Sequence, residues 1–276
     1  MAKKKATISI LIFVLLAVVF GTAVWPSIYD YQCKNRVYSD IEAESNSVES
    51  CNIRIIAVSE REEENVVSIS YSAGASGVIY DCKGSVYYAL TACHVVDSKD
   101  AKSFIIATAL TPTYGEYRKE KGLTSHIPST DYYALMPEAK IEYRNEENDV
   151  AIISFQYPEK LEVAEITSEN PNKDDRILVI GNPADMENRF AHSYGKIDSS
   201  QTIAFDARDG RSPTQVLKHS AYVSPGYSGG AVFSDQMQLV GINIGGGTDF
   251  WGRFRYGVMV PSLQIKKCIA DWNNQQ

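Results

Sequence analysis

Gly226-Tyr227-Ser228-Gly229-Gly230 is the stretch on which the reading of this 276-residue chain turns. A serine held in a tight, glycine-flanked turn is exposed, and the backbone N–H groups beside it can converge on one point. An acyl-transfer site asks for those two things, a reachable hydroxyl and two donors aimed at a developing oxyanion. The donors would be the N–H groups of Gly226 and Ser228. Taken alone, the same five residues also describe a flexible hairpin.

A serine hydroxyl needs a base, and the chain has four histidines. His94 follows the apolar Leu90-Thr91-Ala92-Cys93, at a strand end that can hold its ring rigidly. His126 falls in an irregular stretch and reads as solvated. His192 and His219, near or on strands of the second half, read as structural, with His219 also placed to line a substrate pocket. The base in turn needs a buried carboxylate to fix its tautomer. Asp149, directly before the apolar Val150-Ala151-Ile152-Ile153, supplies one, although an Asp after Asn148 also suits a turn that starts a strand. The three residues occur in the order His, Asp, Ser.

Around these points run short segments rich in Val, Ile, Tyr and Phe, broken by Gly, Asn, Asp and Pro, which is the pattern of an all-β domain. The expected strands are 66–71, 77–80, 86–91, 103–110, 150–155, 177–180, 216–223, 239–244 and 256–260. Asp81-Cys82-Lys83-Gly84 suits a hairpin turn. Thr111–Thr130 reads as a surface loop and Glu60–Asn65 as a solvated acidic loop. Pro261 and Ser262 open a C-terminal helix over 262–273, expected to pack Leu263, Ile265, Ile269 and Trp272.

The chain is 44% hydrophobic and 22% charged with a net charge of −7, so a disordered, collagen-like or coiled-coil chain is excluded. An acidic balance also argues against a nucleic-acid partner, which would need a basic face. The charge is uneven: the first 25 residues carry three lysines and no acid, leaving −10 on the rest. Lys3, Lys4 and Lys5 precede the uncharged run 6–25, and twenty helical residues span roughly 30 Å. We therefore expect residues 1–25 to be an uncleaved signal anchor with the remainder exported. Cleavage after Ala23, which would make the protein secreted, is the alternative. Residues 26–51 read as a polar stalk, and 52–276 as the folded body. Five cysteines leave at least one thiol free or paired with another chain; Cys33 and Cys51 could form a disulfide, and no spacing resembles a metal site.

Thr91-Ala92-Cys93-His94-Val95, Asp149-Val150-Ala151-Ile152 and Gly226-Tyr227-Ser228-Gly229-Gly230 together resemble the signature segments of trypsin-like serine proteases, most closely the bacterial HtrA/Deg-type branch. Ser76-Gly77-Val78-Ile79, Ile180-Gly181-Asn182-Pro183, Gly241-Ile242-Asn243 and Val260-Pro261-Ser262 agree with it. The resemblance implies two six-stranded Greek-key β-barrels, at about 52–165 and 170–260, with the site in the cleft between them. It implies a serine endopeptidase acting on exported proteins or peptides through His94, Asp149 and Ser228, without metal or cofactor. The alternative is a silent or latent binding protein on the same fold.

The chain departs from the family in three places. Cys93 occupies a position often held by Ala or Asn, and should pack inward while His94 faces the cleft. Tyr227 replaces the acid that some relatives use to bind a newly cut N-terminus, so activation by that insertion is not expected. A PDZ domain is not expected after the helix. The substrate pocket is expected from Tyr222, Val223 and Ser224 on one side and Asn243, Ile244 and Gly245 on the other. With no acid there, it should favour a small or medium apolar residue on the acyl side of the cut.

Overall fold

The computed structural model describes residues 38–63, 66–72, 74–122, 129–184, 189–206 and 213–276. The chain divides into two compact units, Met1–Ala43 and Glu44–Gln276. In the first, the described residues are 38–43, where the short helix Ser39–Glu44 begins. All that follows concerns the second.

Its first half contains strands β1 (Asn52–Glu63), β2 (Val66–Tyr71), β3 (Ala75–Lys83), β4 (Val86–Thr91), β5 (Ser103–Ala107), β6 (Lys140–Asn145) and β7 (Val150–Gln156). They hydrogen-bond in the order β2-β1-β3-β4-β7-β6, with β5 also on β1. β7 is buried from Val150 to Phe155, as its unbroken apolar run requires of a strand flanked by β4 and β6 and covered on both faces. The second half contains β8 (Arg176–Gly181), β9 (Ala191–Lys196), β10 (Ile203–Phe205), β11 (Thr214–His219), β12 (Ala231–Ser234), β13 (Leu239–Thr248) and β14 (Phe254–Pro261). Their order is β10-β11-β14-β13-β12-β8-β9. Its core gathers Ile177, Val179, Leu217, Val232, Met259 and Tyr227, each large aliphatic side chain contributing about 1.5–3 kcal/mol by burial.

This corrects the expectation of two closed six-stranded barrels. Among the described residues there are two open, seven-stranded antiparallel sheets. The extra strand of the first sheet arises because β1 is long. Its inner end pairs with β3 and β5, while its outer end, 58–63, forms a ribbon with β2 that leaves Val67 and Ile69 exposed. Beyond the ladders, single bridges join Ile105 with Glu138 in the first sheet and Ile197 with His219 at the end of β11 in the second. The segment between β5 and β6 packs Tyr132, Tyr133 and Met136 against Ile56 of β1 and Ile105 and Ala107 of β5. Helices Tyr114–Glu120 and Ser129–Tyr133 stand where the sequence suggests a plain loop, the former opened by a Thr113–Glu116 capping box. The acidic stretch from Glu60 to Glu63 is likewise strand, not loop.

The final helix, Ser262–Asn273, buries Ile265, Cys268 and Trp272. Leu263, expected to pack inward, faces solvent, Ile269 is only partly buried, and Cys268 is buried in addition to the expected Ile265 and Trp272. No helix among the described residues is long and apolar enough to cross a membrane, and this 12-residue one is about 18 Å long. The expected membrane-spanning helix is not found among the described residues, and the anchor, the membrane as a partner and a single-pass, exported location are not retained. The run 6–25 and Ala23 lie outside the described residues, as do Cys33 and His126. Cys51 is a free, buried thiol that donates to Val48 O at 2.9 Å.

Candidate active site

β4 ends at Thr91, Ala92 is extended, and Cys93–Val95 make one 3₁₀ turn. Cys93 is buried and His94 half-exposed, so the thiol points into the core and the imidazole out of it. Asp149 sits in the turn between β6 and β7 with φ +49°, a left-handed conformation that Asp adopts more readily than most side chains. Three bonds fix the two turns to each other. The Cys93 N–H donates to Asp149 O at 3.1 Å, the His94 N–H donates to Asp149 Oδ1 at 2.9 Å, and His94 Nδ1 lies 2.7 Å from Asp149 Oδ2. Both carboxylate oxygens are thus engaged, at 6% residue exposure. With a carboxylate facing it, Nδ1 carries the proton, which leaves Nε2 as an acceptor. The acid's turn is itself clamped from the second half of the unit. Thr214 Oγ1 donates to Glu147 O at 3.1 Å, and Gln264 Nε2 of the last helix donates to Asn148 Oδ1 at 2.8 Å.

The serine turn is anchored by its carbonyls. Pro225 O accepts from the Ala184 N–H at 3.0 Å, and Ser228 O from the Ser76 N–H at 2.9 Å. Gly226 O accepts from Ser76 Oγ at 2.7 Å. Tyr227 O accepts from the Gly230 N–H at 2.9 Å and from Asn243 Nδ2 at 3.1 Å. In a trans peptide the N–H points opposite to the C=O. Tying down Pro225 O and Tyr227 O therefore turns the Gly226 and Ser228 amides the other way, and neither finds an acceptor among the described residues. Gly226 has φ +100°, and a Cβ there would lie 2.0 Å from Asn182 O. Gly229, at φ +80°, would put a Cβ 2.1 Å from Ser76 O and 2.2 Å from Thr91 Oγ1. That close approach seats the serine turn directly on the strand end that carries His94.

Tyr227 is buried in the second core, and burial pushes its phenol up to about 12. A cavity of about 340 Å³ opens beside Ser228. Of the residues expected to form a pocket, Tyr222, Val223, Ser224, Asn243 and Gly245 line it, together with Gly246, Thr248 and Phe254. Ile244 does not; it is the unpaired residue of a β-bulge between Asn243 and Gly245 and is buried. None of the described lining side chains is charged.

His192 stands apart, 3.8 Å from Glu49. His219 is fully buried under Asn243. Among the described residues no three His, Cys, Asp or Glu side chains gather as metal ligands would. The sequence reading missed Ser76 and Asn182. Ser76 Oγ bonds Gly226 O and accepts from Asn182 N at 2.8 Å, while Asn182 Nδ2 donates to Ile53 O at 3.0 Å. Both residues stood inside family-like segments, which was the available signal.

Residues 75–242 match the family described as the trypsin-like peptidase domain. No curated protein sequence matches the chain. Among solved structures, the chain is similar to Rv3671c protease from M. tuberculosis in its active form, with 14% identity and TM-score 0.58 over 82% of each chain. It is similar to an inactive form of the same protein from strain H37Rv, a serine-to-alanine mutant, with 14% identity and TM-score 0.56 over 84% of this chain and 90% of that one. It also resembles a serine-to-alanine variant of the HtrA-type protease AlgW with a decapeptide, at 16% identity and TM-score 0.59, covering 84% of this chain and 67% of that one. With the family match spanning more than half of its length, the chain belongs to the trypsin-like peptidase domain family.

Proposed function

We propose that this protein is a serine endopeptidase acting on polypeptides. Ser228 Oγ attacks the scissile carbonyl while His94 Nε2 takes its proton, and the carbonyl π pair moves onto oxygen as the Oγ–C bond forms. His94 then protonates the leaving amine as the C–N bond breaks. Water repeats the sequence on the acyl-enzyme to free the acid and Ser228. Asp149 keeps the imidazole in the tautomer that leaves Nε2 free. The Gly226 and Ser228 amides receive the oxyanion. The observation that carries the reading is the two-pronged grip of Asp149 on His94, through the ring at 2.7 Å and the backbone amide at 2.9 Å, at the strand end where the serine turn is seated.

The uncharged cavity beside Ser228 supports an apolar residue on the acyl side of the cut. With Tyr222 and Phe254 stacked edge-to-face at 5.2 Å on its wall, it takes a small or medium side chain against an aromatic surface. The test is Ser228→Ala, which should abolish casein hydrolysis while leaving the melting temperature unchanged. Full activity in that variant would sink the assignment.

A further inference from the structure

His219 lies on β11, fully buried, and neither of its ring nitrogens reaches the cavity beside Ser228. Its Nε2 is 3.3 Å from Asn243 Oδ1. Asn243 Nδ2 in turn donates to Tyr227 O at 3.1 Å. The proton positions along this chain follow from chemistry alone. A carbonyl oxygen only accepts, so the amide nitrogen of Asn243 must face Tyr227. Oδ1 must then face His219, whose Nε2 has to carry the hydrogen. Gly257 gives the imidazole its bed, since a Cβ there would lie 2.1 Å from His219 Cε1. Burial, opposed by the Asn243 bond and by a backbone hydrogen bond at Ala221, pushes the imidazole down to about 4, so the ring is neutral at neutral pH, and the Asn243 contact selects the Nε2–H tautomer.

The Tyr227 carbonyl and the Ser228 N–H belong to one peptide plane. The Gly230 N–H that also binds Tyr227 O closes a four-residue turn and moves with it. Asn243 is on a neighbouring strand and restrains the plane from outside the turn. We propose that His219 is a positioning residue for the oxyanion site: its Nε2–H fixes the Asn243 amide, which holds the Tyr227 carbonyl and so aims the Ser228 amide into the cleft. This rests on the serine-endopeptidase reading, in which that amide receives the oxyanion.

The test compares His219→Leu, which removes the donor, with His219→Gln, whose amide can present an N–H near the Nε2 position. Both are made in the full chain and followed by peptide hydrolysis and by the Ser228 amide signal in an ¹⁵N NMR spectrum. His219→Leu should lower kcat about 10- to 100-fold, a fraction of the loss expected for deleting an oxyanion donor outright, with KM unchanged. The Ser228 amide signal should broaden or double. His219→Gln should recover most of kcat and a single signal. A rise in KM alone, or a glutamine variant as impaired as the leucine one at equal melting temperature, would overturn the proposal. So would an unaltered Ser228 signal in His219→Leu. Should the leucine variant not fold, the ¹⁵N spectrum of histidine-labelled wild type decides: protonated Nε2 with bare Nδ1 at pH 7 is required, and the opposite tautomer refutes it. A wild type that hydrolyses nothing would count against the endopeptidase reading, while the Ser228 signal and the tautomer would still judge the positioning.

Discussion

Asp149→Asn exchanges one carboxylate oxygen for an NH₂ group at a position where both oxygens accept hydrogen bonds. The His94 backbone N–H, 2.9 Å from Oδ1, cannot turn away, because the adjoining Cys93 amide is tied to Asp149 O at 3.1 Å. The single oxygen of asparagine is therefore held on the backbone side. Its NH₂ then faces His94 Nδ1, which has to accept, and the ring proton moves to Nε2. In that tautomer Nε2 cannot take the proton of Ser228. The wrong tautomer in a triad of this kind costs about 10⁴-fold in kcat, or about 5.5 kcal/mol of transition-state stabilisation. The size and polarity of the side chain are retained, so the melting temperature should move little. Hydrolysis of a casein-derived peptide gives the rate, and ¹⁵N spectra of labelled histidine give the tautomer: Nδ1–H in the wild type and Nε2–H in the variant. A variant within tenfold of wild type, or one whose His94 keeps the proton on Nδ1, would refute the reasoning.

Two glycines with similar backbone angles should respond differently to alanine. Gly252, at φ +75° with open space around it, should lose about 1 kcal/mol from the left-handed backbone alone. Gly229 adds contacts of 2.1 and 2.2 Å against Ser76 O and Thr91 Oγ1 and should lose about 1–3 kcal/mol more, with activity; equal denaturation midpoints would contradict this. His219 binds its proton at about 4 in the folded protein against 6.5 when unfolded. As pH falls the unfolded chain takes up that proton first, so stability declines between 6.5 and 4, by about 3 kcal/mol in total. Above 6.5 the ring is neutral in both states and contributes no slope. Urea denaturation across that window should show the decline reduced in His219→Gln, and an equally steep variant would argue against it. A peptide-library digest should show cuts after apolar residues, and cuts confined to Lys, Arg, Asp or Glu would oppose the uncharged pocket.

The catalytic candidates were legible in the sequence because each stands at a boundary. His94 follows an apolar strand, Asp149 precedes one, and Ser228 lies among glycines whose Cβ atoms have no room. The strands that read clearly, such as β4 and β7, carry β-branched and aromatic residues through their buried spans. β1 was hidden by its composition: Arg54 interrupts the apolar inner half, and Glu60, Arg61 and Glu62 belong to a ribbon whose faces meet solvent. β12 has only four residues and follows directly on the serine turn, too short to show a period. The helix at Tyr114–Glu120 did have a signal, Thr113 and Glu116 at capping-box spacing, obscured by the Pro, Gly and charge around it. Sheet closure was not readable at all, because it depends on how far the hydrogen-bond ladders run past Ile105 and Ile197, and those lengths follow from tertiary packing. His219 read as a structural histidine, but its pairing with Asn243 gave no signal, because the two lie 24 residues apart on different strands.

The central claim is that Ser228 is a nucleophile made competent by His94. The most direct measurement is mass-mapped labelling by a fluorophosphonate, which forms a phosphonyl ester with an activated hydroxyl as fluoride leaves and needs no knowledge of the natural substrate. The full chain should carry the label on Ser228, and His94→Ala should lose it while remaining folded. Labelling at another residue, or undiminished labelling of Ser228 in His94→Ala, would contradict the account.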